Sequence, residues 1–105
     1  MARRSSPSTL CVGPIRIDRL AQRVTREGQP IALLPREYRL LRYLAEQAGR
    51  PVGRGELLRQ VWNLPFDPGT NVVEVHVSRL RARLDRGFAE PVLRTEKGRG
   101  YMLVG

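Results

Sequence analysis

Two arginines, Arg79 and Arg86, share one side of the segment PGTNVVEVHVSRLRARLDR (68–86) with a serine, two valines and an alanine. At about 100° per residue, Val73, Val77, Leu80 and Leu84 fall into one narrow apolar stripe, the repeat of a core-facing helix. The opposite side carries Val72, Val75, Ser78, Arg79, Ala82 and Arg86, while His76, Arg81 and Arg83 flank the stripe. Solvated helix faces usually hold Lys, Glu and Gln. A face of short side chains and arginine suits a different surrounding. Short side chains let a helix sit deep in a groove, a guanidinium can grip guanine edges or phosphates, and valine can touch thymine methyls. A helix packed on both faces would account for the valines, but less well for Arg79 and Arg86. Asn71 is expected as the N-cap, with Glu74 in the reciprocal place of a capping box.

The composition agrees with an anionic partner. The chain has 105 residues, enough for one domain with a modest core. Lys and Arg number 19 against 10 Asp and Glu, a formal charge of +9, and Lys97 is the sole lysine. Arginine favours planar, bidentate contacts with phosphates and bases, although a GC-rich genome enriches it too. No apolar run is long enough to cross a bilayer, and MARRSSPSTL lacks the apolar core of a signal peptide. With Cys11 as the single cysteine, neither an internal disulfide nor a zinc cluster is expected. The chain reads as cytoplasmic and without a cofactor. An enzyme is not expected: there is one His, one Cys, no Walker-type glycine loop and no carboxylate cluster, and Gly98-Arg99-Gly100 is too short to cradle a phosphate.

On either side of this helix the chain reads as the rest of a domain that holds it in place. Residues 1–8 are basic and Ser/Pro-rich, a disordered tail or linker remnant; residues 9–105 form the domain. TLCVG, PIRID, AQRVT and PIALL, separated by Gly13-Pro14, Asp18-Arg19 and Glu27-Gly28, suggest a small antiparallel sheet. Pro35 suits a first helical turn. Tyr38, Leu41, Leu44, Ala45 and Ala48 follow at helical spacing, and Gly49 ends that helix. Arg36, Arg39 and Arg42 share another face, either solvated or an auxiliary edge toward phosphates. A second helix is expected around Gly55–Trp62 with Leu57, Leu58 and Val61 buried. NLPFDPG (63–69) has two prolines and reads as a loop. After Arg86, Gly87 and Pro91 stop the long helix. Val92–Thr95 and Tyr101–Val104 then form a β-hairpin whose tip, Glu96-Lys97-Gly98-Arg99-Gly100, carries two cations.

Helix, helix, basic helix and basic hairpin make a winged helix-turn-helix in an α+β domain. LLPREYRLLRYLAEQAGRPVGRGELLRQVW, DPGTNVVEVHVSRLRARLD and LRTEKGRGYML strongly resemble the effector domains of OmpR/PhoB-type response regulators, over roughly Leu33 to Leu103. The resemblance implies an N-terminal four-stranded antiparallel sheet, a three-helix core and a C-terminal hairpin wing. It implies sequence-specific binding of double-stranded DNA and regulation of transcription, with 71–86 as recognition helix. Val72, Val75 and Arg79 would then face bases, with Asn71 and Ser78 at variable contacting positions. Trp62, His76, Arg81, Thr95 and Tyr101 match positions that hold phosphates, and Arg83 flanks them. Arg81 and Arg83 could instead pair with Glu74 or Asp85. Lys97 matches a wing position that enters the minor groove, and Arg99 would assist it. The loop 63–70 matches a segment that touches RNA polymerase in some relatives.

Members of this group carry a phosphoacceptor receiver domain upstream. This chain is too short to hold one beside the effector, so it is expected to be an excised or standalone effector, monomeric alone and paired on tandem half-sites. Leu34 stands where relatives place Thr or Ser before the proline, and Gly53 replaces a capping serine, which predicts weaker helix starts. Asn71 stands where several relatives carry arginine, and Glu96 partly offsets the charge of the wing. Two other readings share the charge: a general basic nucleic-acid-binding protein, and a winged helix turned to protein interaction.

Overall fold

The computed structural model describes residues 8–105, so residues 1–7 of the tail read over residues 1–8 lie outside them. Four strands open the chain: β1 (Thr9–Val12), β2 (Ile15–Asp18), β3 (Arg23–Arg26) and β4 (Gln29–Ile31). They pair antiparallel in chain order. The register sets Ile17 against Val24 and Ile15 against Arg26. Alternation turns Ile15, Ile17, Val24 and Arg26 toward the core and leaves Arg16 in solvent. An arginine on the inward face is the first anomaly of the fold.

Three helices follow the sheet, with α1 packed on β1 and α2 on α3: α1 (Pro35–Glu46), α2 (Arg54–Gln60) and α3 (Val72–Asp85). Their apolar stripes meet in one core containing Leu40, Leu41, Leu44, Leu57, Leu58, Val61, Val73, Val77, Leu80 and Leu84. The hairpin β5 (Leu93–Glu96) and β6 (Gly100–Leu103) closes the chain, and its root residues Val92, Leu93 and Leu103 enter the same core.

The structure moves several boundaries. α1 stops at Glu46, so Ala48 falls in the turn after it, where Gly49 adopts φ +81° and its N–H donates to Leu103 O at 3.0 Å. α2 ends at Gln60, leaving Trp62 beyond it. The hairpin strands reach one residue nearer the tip than expected, and the turn shrinks to Lys97-Gly98-Arg99, with Gly98 at φ +77°.

The helix starts also differ. Leu34 caps α1 with half of a capping box: its side chain has no acceptor, but its N–H donates to Glu37 Oε1 at 2.9 Å. At α3 the expected box is absent. The Asn71 side chain makes no capping bond, and its backbone (φ −94°, ψ 30°) is not the extended form a cap requires. Glu74 instead accepts from Arg54 Nη1 at 2.6 Å, because a charge-assisted pair is stronger than a bond to a neutral backbone N–H.

Candidate nucleic-acid interface

The long helix divides as its periodicity dictates. Val73, Val77, Leu80 and Leu84 are at most 2% exposed. Val72 and Val75 are half-buried, and Asn71, Ser78, Arg79, Ala82 and Arg86 are exposed. The mixed apolar and arginine face therefore points away from the core. Beside its C-terminal half, an open cleft of about 510 Å³ runs between β4 and α3, lined by Pro30, Ile31, Ala32, Arg79, Arg83 and Arg86.

The residues flanking this face belong to a tight network. Trp62 and His76 meet in a T-shaped pair, with ring centroids 5.2 Å and planes 81° apart, and the Arg36 guanidinium sits 5.7 Å from the indole ring centroid. Arg36 also donates to Val61 O. That fixes one of the three α1 arginines, and Arg42 pairs with Glu46 at 3.8 Å on the same helix. His76 Nδ1 lies 2.8 Å from Val72 O. A carbonyl only accepts, so Nδ1 carries the hydrogen there and Nε2 is the nitrogen left for another partner.

Neither Arg81 nor Arg83 pairs with Glu74 or Asp85 among the described contacts. Arg81 ties α3 to the hairpin, donating from Nε to Leu93 O at 3.2 Å and from Nη2 to Thr95 Oγ1 at 2.8 Å. Arg83 reaches the other way, to Glu37 Oε1 on α1 at 2.7 Å.

The hairpin is pinned at its second strand. Val52 N donates to Tyr101 O at 2.7 Å, and Tyr101 N donates to Val52 O at 2.9 Å. Gly100 makes that approach feasible: at φ +129°, a Cβ there would lie 2.1 Å from Val52 O. Tyr101 faces Thr95 across the hairpin, and burial, then the charge of Glu74, raises its phenol above the ordinary range. Lys97 and Arg99 stand exposed on the tip.

Sequence reasoning missed Arg54. From the first position of α2 it donates to Asp67 through Nε at 3.1 Å, to Glu74 through Nη1, and to Thr70 O through Nη2. It thereby joins α2, the loop 63–70 and α3. Its guanidinium holds the carboxyls of Asp67 and Glu74 below the ordinary range, and they, Asp67 first, raise Arg54 in return. A signal existed. A cation at a helix N-terminus opposes the helix dipole and calls for an acidic partner.

Comparison with known proteins agrees with this geometry. The family described as "Transcriptional regulatory protein, C terminal" matches residues 28–103. The transcriptional regulatory protein TrcR of Mycobacterium tuberculosis is 39% identical over 100 residues, covering 95% of this chain and 38% of TrcR. HprR of Escherichia coli K12 is 37% identical over 97 residues, covering 92% of this chain and 44% of HprR. The chain thus spans less than half the length of these curated relatives. The crystal structure of the DNA-binding domain of E. coli CpxR superposes with a TM-score of 0.79 at 34% identity, covering 95% of this chain and 98% of that one. The Klebsiella pneumoniae RstA DNA-binding domain, solved in complex with the RstA box, gives 0.81 at 30% identity, covering 91% and 96%. The outward α3 face of arginine and half-buried valine, the pinned hairpin and these likenesses agree: the chain belongs to the OmpR/PhoB-type winged-helix DNA-binding domains of transcriptional regulatory proteins.

Proposed function

We propose that the chain binds double-stranded DNA sequence-specifically and regulates transcription as the output domain of a two-component response regulator. One observation carries this reading: the α3 face bearing Val75, Ser78 and Arg79 is turned out of the core, and the same domain carries a hairpin tip with Lys97 and Arg99 exposed. In this reading α3 enters the major groove. Asn71, Val72, Val75, Ser78 and Arg79 meet base edges, and Lys97 with Arg99 follows the minor groove. Trp62, His76, Arg81, Arg83, Thr95 and Tyr101 hold phosphates, His76 through Nε2. Arg81 and Arg83 do so with the N–H groups left beyond their internal bonds, since each guanidinium carries five donors.

The wider assembly belongs to the same proposal. The domain is monomeric alone and pairs on tandem direct repeats. A receiver domain precedes it in the full-length protein, which is cytoplasmic. The loop 63–70, whose Phe66 is 63% exposed, meets RNA polymerase. Among the described residues no helix is long and apolar enough to cross a membrane.

Selection of bound duplexes from a randomised DNA pool at near-physiological salt tests the reading. Enrichment of a short motif, as direct repeats about one helical turn apart, is the expected result. With about five phosphates neutralised, the log–log salt slope should lie near −4 to −5. Retention without enrichment would leave a general basic nucleic-acid binder. No retention would point to a protein-interaction winged helix.

A further inference from the structure

Arg26, on the inward face of β3, is 1% exposed. Burying a guanidinium is costly unless acceptors meet it, and here they come from a distant part of the chain. Nη1 donates to Leu84 O and to Asp85 Oδ1, each at 2.8 Å, and Nη2 donates to Glu90 O. The Phe88 ring lies against the guanidinium, 4.3 Å from carbon to centroid. Leu84 and Asp85 end α3, whose last carbonyls lack partners within the helix and carry its partial negative charge. Phe88 and Glu90 belong to the connection that leads to the hairpin. Asp85 Oδ1 also accepts from Val92 N at 3.1 Å, and Val92 O accepts from Val104 N at 2.9 Å, where the two hairpin strands meet.

One buried cation thus gathers the end of α3, the turn after it and the root of the hairpin around a single point on the sheet. We infer that Arg26 is a positioning residue for DNA recognition, one that sets the angle between α3 and the wing so that both reach one duplex together. The inference rests on the DNA-binding reading above. Its physical basis is leverage. Four residues of strand at about 3.4 Å each place the tip roughly 13 Å from the root. A tilt of about 10° at the root then carries Lys97 about 2 Å, enough to break a hydrogen bond. The ties to Val52 and Arg81 hold the wing along its length, whereas Arg26 and Asp85 fix where it starts.

The test is a set of double-mutant comparisons on one duplex that the domain selects, with binding counted per folded molecule. In the unmodified domain Arg79→Ala and Lys97→Ala should each weaken binding, roughly 10-fold or more for Arg79 and a few-fold for Lys97. In an Arg26→Met background Lys97→Ala should lose its effect, falling below about 2-fold, while Arg79→Ala keeps its own. Arg26→Lys, with one point charge in place of a fork, should restore the effect only in part. If Arg26→Met does not fold, Asp85→Ala removes the carboxylate that joins Arg26 to Val92 and should give the same pattern. An undiminished Lys97 effect in these backgrounds, or parallel loss of the Arg79 and Lys97 effects, reduces Arg26 to a structural residue and overturns the inference. Failure to select any duplex would instead overturn the reading of sequence-specific DNA binding itself.

Discussion

Arg83 of α3 and Glu37 of α1 form an ion pair at 2.7 Å in which the carboxylate is 1% exposed and the guanidinium 41%. The second oxygen of Glu37 is buried without a hydrogen-bond partner. An acid so placed depends on the two donors that meet its other oxygen, Arg83 and the Leu34 N–H.

Arg83→Ala should therefore destabilise the domain even without DNA. Leaving a buried carboxylate short of its cation is expensive, but Arg83 is partly solvated, so water takes over some of its role. The expected loss is about 1–2 kcal/mol, read from urea or thermal unfolding. An unchanged midpoint together with weaker DNA binding would make Arg83 a phosphate ligand first.

Arg79 makes no internal ion pair or hydrogen bond among those described, which separates it from Arg81 and Arg83. Arg79→Ala should leave stability within about 0.5 kcal/mol. It should weaken binding to the selected duplex by roughly 1–3 kcal/mol, with a clearly smaller loss on random duplex. Equal losses on both, measured by titration, would mean that Arg79 holds a phosphate and reads no base.

Gly100→Ala puts a methyl group where Val52 O already sits and forces an L-residue to φ +129°. The bridge between Val52 and Tyr101 should open. A loss of roughly 3 kcal/mol or more is expected, since strain and overlap add. Gly28→Ala is the internal control: φ is +80°, but nothing lies within 4 Å of the new Cβ, so only the backbone strain remains and the loss should be smaller. Equal unfolding midpoints for the two variants would rule out the clash.

Acid should release the loop 63–70 from α2. Asp67 and Glu74 have carboxyls lowered first of all by Arg54. A folded-state value below the unfolded one means stabilisation that is full above the ordinary carboxylate range and is lost as pH falls through the lowered values. Asp67→Asn and Glu74→Gln should each flatten the acid limb of the stability profile. Protection of the Asp67, Gly69 and Thr70 amides from exchange, taken relative to the intrinsic rate at each pH, should fall in the same window, and unchanged protection there would contradict the latch.

The sequence disclosed what repeats and hid what is solitary. Stripes such as Val73, Val77, Leu80 and Leu84 state their own periodicity, so the buried side of α3 was legible, as were the strands punctuated by glycine and proline. Arg26 could not be read in this way. Strand alternation turns it inward, but the carbonyls and carboxylate that receive it lie 58 to 64 residues further on. The capping box at Asn71 failed for a related reason. Local spacing offered Glu74 a backbone partner, while the fold brought Arg54 from another helix. Trp62 and Tyr101 were placed by resemblance, and their surroundings, an arginine with a histidine ring and a bridged strand, came only with the tertiary structure.

The indole of Trp62, the sole tryptophan of the chain, lies beside the Arg36 guanidinium and steeply inclined to the His76 imidazole on the flank of α3. Its emission depends on the charge and water beside it. Occupation of that flank by a phosphate backbone should change the colour and yield of intrinsic fluorescence. The domain carries its own optical probe on the flank that the proposed reading gives to phosphate, and binding there should be followed without attaching a dye.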